Sequence, residues 1–232
     1  MFSPVCPGPA MEDLPFRDRT HAGQLLSRKL AGYANRGDVI VLALPRGGVP
    51  VGYEIAKVLR ATLDVFLVRK LGAPGQEELA MGAIAAGGVR VLNEEVVRAL
   101  GISPRVIDSV AARESRELMR RDHLYRGRRH APHVAGRTVI LVDDGLATGS
   151  TMRAAIQALH QKKPRRIVVA VPVAAAPTCE ELASLVDEMV CYDTPEPFYS
   201  VGFWYDDFSQ TTDDQIRDLL ERAGKELTPA PP

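Results

Sequence analysis

The stretch Val139-Ile-Leu-Val-Asp143-Asp144-Gly-Leu-Ala-Thr148-Gly149-Ser150-Thr151 carries the densest chemistry in the chain. An apolar run delivers two adjacent carboxylates, and a turn of glycine and small hydroxyl residues then opens a helix. Backbone N–H groups of such a turn, the helix N-terminus and the Thr and Ser hydroxyls together make a nest for a phosphate. The carboxylates cannot bind phosphate themselves; they suit sugar hydroxyls, or a metal ion held through water. The stretch is not a Walker A loop, which needs Lys before the Ser/Thr, and it is not GxGxxG. Two other readings stand beside this one: a buried strand followed by a capped helix, and a phospho-acceptor aspartate of the receiver type.

Two further segments have anion chemistry. Leu44-Pro-Arg46-Gly47-Gly48 combines a cation with glycines that let a backbone approach a ligand closely. Arg69-Lys70 is a basic pair at the end of another apolar run. Taken singly, each reads equally as a solvated turn.

Elements that could position these groups follow from the hydrophobic pattern. Continuous apolar runs at 39–44, 64–69, 138–142 and 167–171, with 188–192 as a final strand, read as strands of a sheet buried on both faces. Helical spacing covers 18–34, 49–60, 104–125, 151–161 and 178–186. Alternating strands and helices predict an α/β fold, a parallel twisted sheet flanked by helices, with ligands at the carboxyl ends of the strands. Residues 72–88 are rich in Gly and Ala and read as a long loop, in part β. The expected organisation is a loose leader at 1–15, an α/β core at 16–192 with a mobile loop at 72–90, a small C-terminal hood at 193–224 and a flexible tail at 225–232.

Composition bounds the rest. The 232 residues carry 29 Lys+Arg against 29 Asp+Glu, which argues against a generic binder of polyanions or membrane surfaces. The balance is a cancellation: Arg113–Arg137 holds eight Arg against three acids, and Thr178–Asp218 holds eleven acids against one Arg. Cys6, Cys179 and Cys191 are odd in number and have no CxxC, so they read as free thiols of a cytoplasmic protein. No apolar run approaches the ~20 residues of a membrane span, and the N-terminus lacks the regions of a signal peptide.

The segment Val139–Thr151 resembles the signature of the type I phosphoribosyltransferases: an apolar strand, two acids, then a small-residue loop ending Thr-Gly-x-Thr. Gly145 stands where a larger apolar residue is commoner. The resemblance extends in element order over about residues 40–171. It implies that Asp143 and Asp144 hold the ribose hydroxyls of phosphoribosyl pyrophosphate and contact magnesium only indirectly. Ala147, Thr148, Gly149, Ser150 and Thr151 hold its 5-phosphate by the same resemblance. Arg46, Gly47, Gly48, Arg69 and Lys70 hold the pyrophosphate, with Arg69 and Lys70 joining the acid pair in catalysis. The loop at 72–88 falls where the family closes a catalytic loop, with Glu77 and Glu78 as acids, metal contacts or exposed loop residues. The implied reaction is transfer of the 5-phosphoribosyl group to a nitrogenous acceptor by a homodimer. In the 6-oxopurine members an acid stands where this chain has Ala147, which argues against hypoxanthine or guanine. Leu-Pro-Arg-Gly-Gly-Val-Pro, Arg-Lys-Leu-Gly and a Trp-Tyr-containing C-terminal segment are also similar to a group of bacterial phosphoribosyltransferase-domain proteins whose acceptor is not defined, a hint against the usual salvage acceptors.

The aromatic cluster 198–208 is the expected hood, with Phe203, Trp204 and Tyr205 offering stacking faces for a base and Asp206 and Asp207 nearby. Packing of the C-terminal lobe explains the same aromatics. Two other function classes share the cradle: a regulatory sensor of phosphoribosyl pyrophosphate, with the basic segment as an RNA surface, and a hydrolase that uses water.

Overall fold

The computed structural model describes residues 14–127 and 129–227, excluding the side chain of Glu78. Most of the expected leader, including Cys6, and residues 228–232 of the tail lie outside the described residues. Five strands form a parallel sheet: β1 (Val39–Ala43), β2 (Thr62–Val65), β6 (Thr138–Val142), β7 (Arg166–Val173) and β8 (Glu188–Asp193), in the order β2-β1-β6-β7-β8. Every residue of β1 and β6 is buried, as their apolar runs require. Val39, Val41 and Ala43 join the core built with α1 (Arg19–Lys29), α2 (Gly48–Leu59) and α7 (Asp213–Glu226). Ile40 and Leu42 point the other way, to Met152, Ile156 and Leu159 of α5 (Ser150–Gln161). This alternation is what buries both faces of one sheet.

Connectivity fixes where a ligand can sit. From β1 the chain crosses through α2 to β2 on one side, and later returns to β6 on the other side of β1. The loops after β1 and β6 therefore diverge and leave a crevice at the carboxyl ends of these neighbours, the topological switch point. Both chemistry-bearing turns, 44–48 and 143–149, are those loops.

Four expectations are corrected. The strand read over 64–69 is divided: β2 ends at Val65, and β3 (Val68–Ala73) begins a separate antiparallel sheet with β4 (Gln76–Ala85) and β5 (Val89–Leu92). Arg69 and Lys70 thus lie within β3, not at a strand end of the parallel sheet. The loop expected at 72–90 is largely this hairpin. Its small residues gave no hydrophobic period because they serve close backbone approach. A Cβ at Gly72 would lie 2.6 Å from the Glu77 carbonyl oxygen, and one at Gly82 would lie 2.4 Å from that of Val91. Gly72 also sits at a register shift between β3 and β4.

The third correction concerns the C-terminal segment, which contains a full helix. α7 starts in a capping box of Thr212 and Gln215 and buries Ile216, Leu220 and Ala223. The fourth concerns the cysteines. Cys179 of α6 (Ala176–Ala183) and Cys191 of β8 are joined by a disulfide. Their spacing of 12 residues hid a contact made only when α6 packs against β8. Alkylation of the denatured chain before and after reduction will therefore show two additional reactive cysteines after reduction; an unchanged count contradicts the bridge.

The basic segment is divided between one buried cation and several exposed ones: Arg113, Arg116, Arg120 and Arg129 lie on the surface. Arg126 of α4 (Pro104–Arg126) is buried and pairs with Asp64 at 3.0 Å and with Asp122. Burial pushes the Asp64 carboxyl up, and Arg126 opposes that shift. Arg120 and Arg121 pair with Glu117, Arg129 binds the carbonyls of Tyr125 and Leu220, and Arg137 binds those of Gly37 and Val39. Part of the charge excess read from composition is thus spent on ties within the fold, and part stays on the surface. Among the described residues, no helix is long and apolar enough to cross a membrane.

Candidate active site

At the end of β6 the two acids have different surroundings. The Asp144 N–H donates to Asp143 Oδ1 at 2.9 Å. Burial first, and then the charge of Asp144, push the Asp143 carboxyl well above the usual carboxylate range, against the pull of that N–H and of Arg19. Asp144 instead meets Arg19, whose Nε donates to Oδ2 at 2.7 Å. The Tyr205 hydroxyl donates to the Asp144 carbonyl oxygen at 2.6 Å. Burial, then the nearby Asp144 charge, raise that phenol well above its ordinary value.

The turn that follows is braced from below and open above. The Leu146 N–H donates to Val173 O at 2.9 Å, and the Thr178 hydroxyl donates to Ala147 O at 2.6 Å. Thr148 and Ser150 share a hydrogen bond of 3.1 Å between their hydroxyls. Ala147, Thr148, Ser150 and Thr151 are exposed, while Gly149 is buried with φ +65° at the N-terminus of α5. A side chain at Gly149 would meet Thr178 Cγ2 at 2.7 Å, so the left-handed turn and the close contact both call for glycine. Gly145 has a similar reason. A Cβ there would lie 2.5 Å from Val201 Cγ1, so its lack of a side chain lets the hood settle onto the turn.

The second loop docks directly on the acids. The Leu44 N–H donates to Val142 O at 2.8 Å, and the Pro45–Arg46 peptide is cis. A Cβ at Gly47 would fall 1.8 Å from Asp144 Oδ2, and one at Gly48 would fall 2.7 Å from Val142 O and 2.9 Å from Asp143 Cα. The bare glycine backbone is therefore what allows the 44–48 loop, with half-buried Arg46, to touch the acid pair.

Arg69 does not stand open to a ligand as expected. Its Nε and Nη2 donate to Glu114 Oε2 of α4 at 2.9 and 2.7 Å. It still lines a small cavity with Leu44, Pro45, Arg121 and Thr151, so it stays beside both loops. Arg121 went unnoticed in the sequence because it was one of many arginines in a basic run. Lys70, also in β3, is half-buried. Glu77 is exposed; the side chain of Glu78 lies outside the described residues.

On the acceptor side, the aromatics divide. Tyr205 is buried, packs against Phe16 and Phe208 with ring centroids at 5.3 and 5.0 Å, and offers no open stacking face. Trp204 has a buried Nε1 without a partner among the described residues, and Phe203 is 59% exposed. Asp206 and Asp207 are exposed, and their N–H groups donate to Phe16 and Arg17 carbonyls. The cleft beside the phosphate turn, about 520 Å³, is instead walled by Ala175, Pro177, Pro195, Glu196, Pro197 and Phe198 at the ends of β7 and β8. A comparable cleft of 540 Å³ lies at Tyr33, Arg36, Arg165 and Arg166. Those arginines are engaged by Asp38 and Glu188 at the opposite, N-terminal ends of the strands.

Residues 19–194 match the model of the phosphoribosyl transferase domain. The chain belongs to that family. A Mycobacterium tuberculosis protein named as a phosphoribosyl transferase is 44% identical over 215 residues, which cover 93% of this chain and 48% of that protein. The chain spans about half the length of the curated relatives it matches. The crystal structure of TT1426 from Thermus thermophilus superposes with a TM-score of 0.80 at 44% identity, covering 88% of this chain and 97% of that one. A shorter match, 43% identity over 53 residues (23% of this chain, 30% of that protein), is to the bifunctional protein PyrR of Haemophilus ducreyi.

Within this phosphoribosyl transferase domain, no group of three or more His, Cys, Asp or Glu able to hold a metal occurs among the described residues. Asp143 and Asp144 offer at most two carboxylates, one already shared with Arg19. That donor set fits a magnesium ion that is held mainly by a ligand's own oxygens and water and touches the protein through them.

Proposed function

We propose that this domain transfers the 5-phosphoribosyl group of phosphoribosyl pyrophosphate to a nitrogenous acceptor and releases pyrophosphate. The observation that carries the reading is the contact of the two glycine loops at the switch point, where Gly47 packs against the Asp144 carboxylate. Asp143 and Asp144 bind the ribose hydroxyls, and the 147–151 turn holds the 5-phosphate through its amides and hydroxyls. Arg46 and the amides of Gly47 and Gly48 face the pyrophosphate, Arg69 and Arg121 add charge from the cavity between the loops, and Lys70 joins them by the resemblance alone. Magnesium, when bound with the donor, neutralises charge on the leaving pyrophosphate. What the chain supplies is orientation and fixed charge, with a water-poor floor beneath the reacting carbon.

The acceptor enters the cleft walled by Pro177, Pro195, Pro197 and Phe198 rather than stacking on Tyr205. Its apolar walls suit the faces of a flat base, and Glu196 suits an N–H of it. The protein acts as a homodimer in this reading, on the strength of the resemblance.

Pyrophosphate release, measured with donor, magnesium and a panel of nucleobases and amines, tests the reading. Acceptor-dependent release supports it. Release at the same rate without any acceptor assigns hydrolysis, and donor binding without release assigns a sensing role.

A further inference from the structure

The hood is clasped to the N-terminal segment immediately above the acid pair. Phe16 N–H donates to Trp204 O at 2.8 Å, Asp206 N–H to Phe16 O at 2.8 Å, and Asp207 N–H to Arg17 O at 2.9 Å. Phe16 is fully buried between Tyr192 and Tyr205. Asp18 caps α1 by accepting the His21 N–H, which fixes where the next residue begins the helix. That next residue is Arg19.

Arg19 spends its guanidinium on two partners of different origin. Nε binds Asp144 Oδ2 at 2.7 Å, and Nη1 binds the Ser209 carbonyl oxygen at 2.7 Å. The Phe208 ring covers the guanidinium, with its centroid 4.0 Å from Cζ. The side chain is only 11% exposed, and that of Asp144 is 16% exposed. Gly47 comes so close that a Cβ there would lie 3.0 Å from Arg19 Nε. The pyrophosphate-side loop, the acid and the hood turn 208–209 therefore meet on one cation, which five N–H donors in a fixed fork and a flat face equip to hold them together.

We propose that Arg19 is a positioning residue that couples the hood to the donor site, through one nitrogen on Asp144 and another on the 208–209 turn. The inference rests on the assignment of Asp144 to the donor ribose. A ligand hydroxyl that binds the Asp144 carboxylate beside Arg19 reorients it, Arg19 moves with the carboxylate it holds in place, and the hood turn follows. The hood, which also supplies Pro195, Pro197 and Phe198 to the proposed acceptor cleft, thus responds to donor occupancy.

Trp204 is the only tryptophan of the chain and lies in the clasped segment, so its fluorescence reports hood position without labelling. The test compares the wild type with Arg19→Gln and Arg19→Lys, following Trp204 emission, donor binding by calorimetry with magnesium, and KM and kcat for pyrophosphate release. The wild type is expected to change its Trp204 emission on donor saturation. Arg19→Gln is expected to raise the donor KM about tenfold, as loss of one charge-assisted contact predicts, and to lose the emission change. Arg19→Lys restores charge at Asp144 but cannot bridge to Ser209, so it recovers the KM while kcat and the emission change stay low. A residue that merely supported the fold would move all three readouts together and would be matched by a lowered melting temperature. Should Arg19→Gln fail to fold, the split in Arg19→Lys decides alone. Wild-type kinetics and emission change in both variants overturn the coupling, as does donor binding that leaves wild-type Trp204 emission unchanged. Absence of donor binding in the wild type overturns instead the assignment of function on which the coupling rests.

Discussion

Asp144→Asn will weaken binding of phosphoribosyl pyrophosphate about 10- to 100-fold while leaving the circular dichroism spectrum unchanged. A hydrogen bond to a charged group contributes about 1.5–3 kcal/mol, and each 1.4 kcal/mol is about tenfold in affinity. Asn keeps an oxygen for Arg19 but removes the charge that both Arg19 and a ribose hydroxyl use. Asp143→Asn will cost less wherever the native carboxyl is protonated, under about tenfold by the same scale for a neutral hydrogen bond. Burial and the Asp144 charge hold the Asp143 carboxyl protonated over more of the pH range. An amide mimics that form and keeps the 2.9 Å bond from the Asp144 N–H. Because the native carboxyl is raised, the wild type and Asp143→Asn diverge as pH rises and the native group ionises. Calorimetric titrations of both variants across the pH range check the order; a larger loss for Asp143→Asn than for Asp144→Asn at every pH would reverse the roles given to the two acids.

Gly48→Ala will lower the melting temperature by roughly 2–12 °C, although Ala is the better helix former. Helix propensity, about 1 kcal/mol in a helix interior, counts for little at the first residue of α2. Against this, the new Cβ would lie 2.7 Å from Val142 O and 2.9 Å from Asp143 Cα, both backbone atoms of the β6 end that cannot swing aside. Overpacking of this kind costs about 1–3 kcal/mol, which for a chain of this size is about 2–4 °C per kcal/mol. Gly47→Ala differs in kind. Its 1.8 Å clash is with the Asp144 carboxylate itself, a side chain that can rotate. It is therefore expected to melt closer to the wild type and to lose donor binding. Thermal melts and calorimetry on the two variants separate them; a Gly48→Ala protein as stable as the wild type would mean the loop does not dock on β6 as described.

The sequence made β1, β6 and β7 legible because strands buried on both faces must be continuously apolar, and the acid pair was legible because it ends such a strand. Gly145 looked like a departure from the family pattern until Val201 was found above it. What stayed hidden depended on partners far away in the chain. Arg19 meets an acid 125 residues distant, and nothing in a helix-starting arginine announces that contact. Arg69 looked like an open anion ligand because its partner Glu114 lies 45 residues away on another element. Residues 72–90 hid their strands for the opposite reason: Gly72 and Gly82 have no side chain to alternate, and their purpose is the backbone contact itself. Tyr205 fell in a conspicuous aromatic cluster, yet its ring is packed and its hydroxyl spent on the Asp144 carbonyl.

Calorimetric titration of the wild-type domain with phosphoribosyl pyrophosphate in the presence of magnesium tests the central claim most directly. The account predicts one donor per chain, with a dissociation constant on the order of 1 µM to 1 mM, the range in which enzymes hold their substrates. It also predicts weaker binding of ribose 5-phosphate, which fills the 147–151 turn and reaches Asp143 and Asp144 but leaves Arg46, Gly47 and Gly48 without a pyrophosphate. Absence of binding at millimolar donor, or equal affinity for the two ligands, would contradict it.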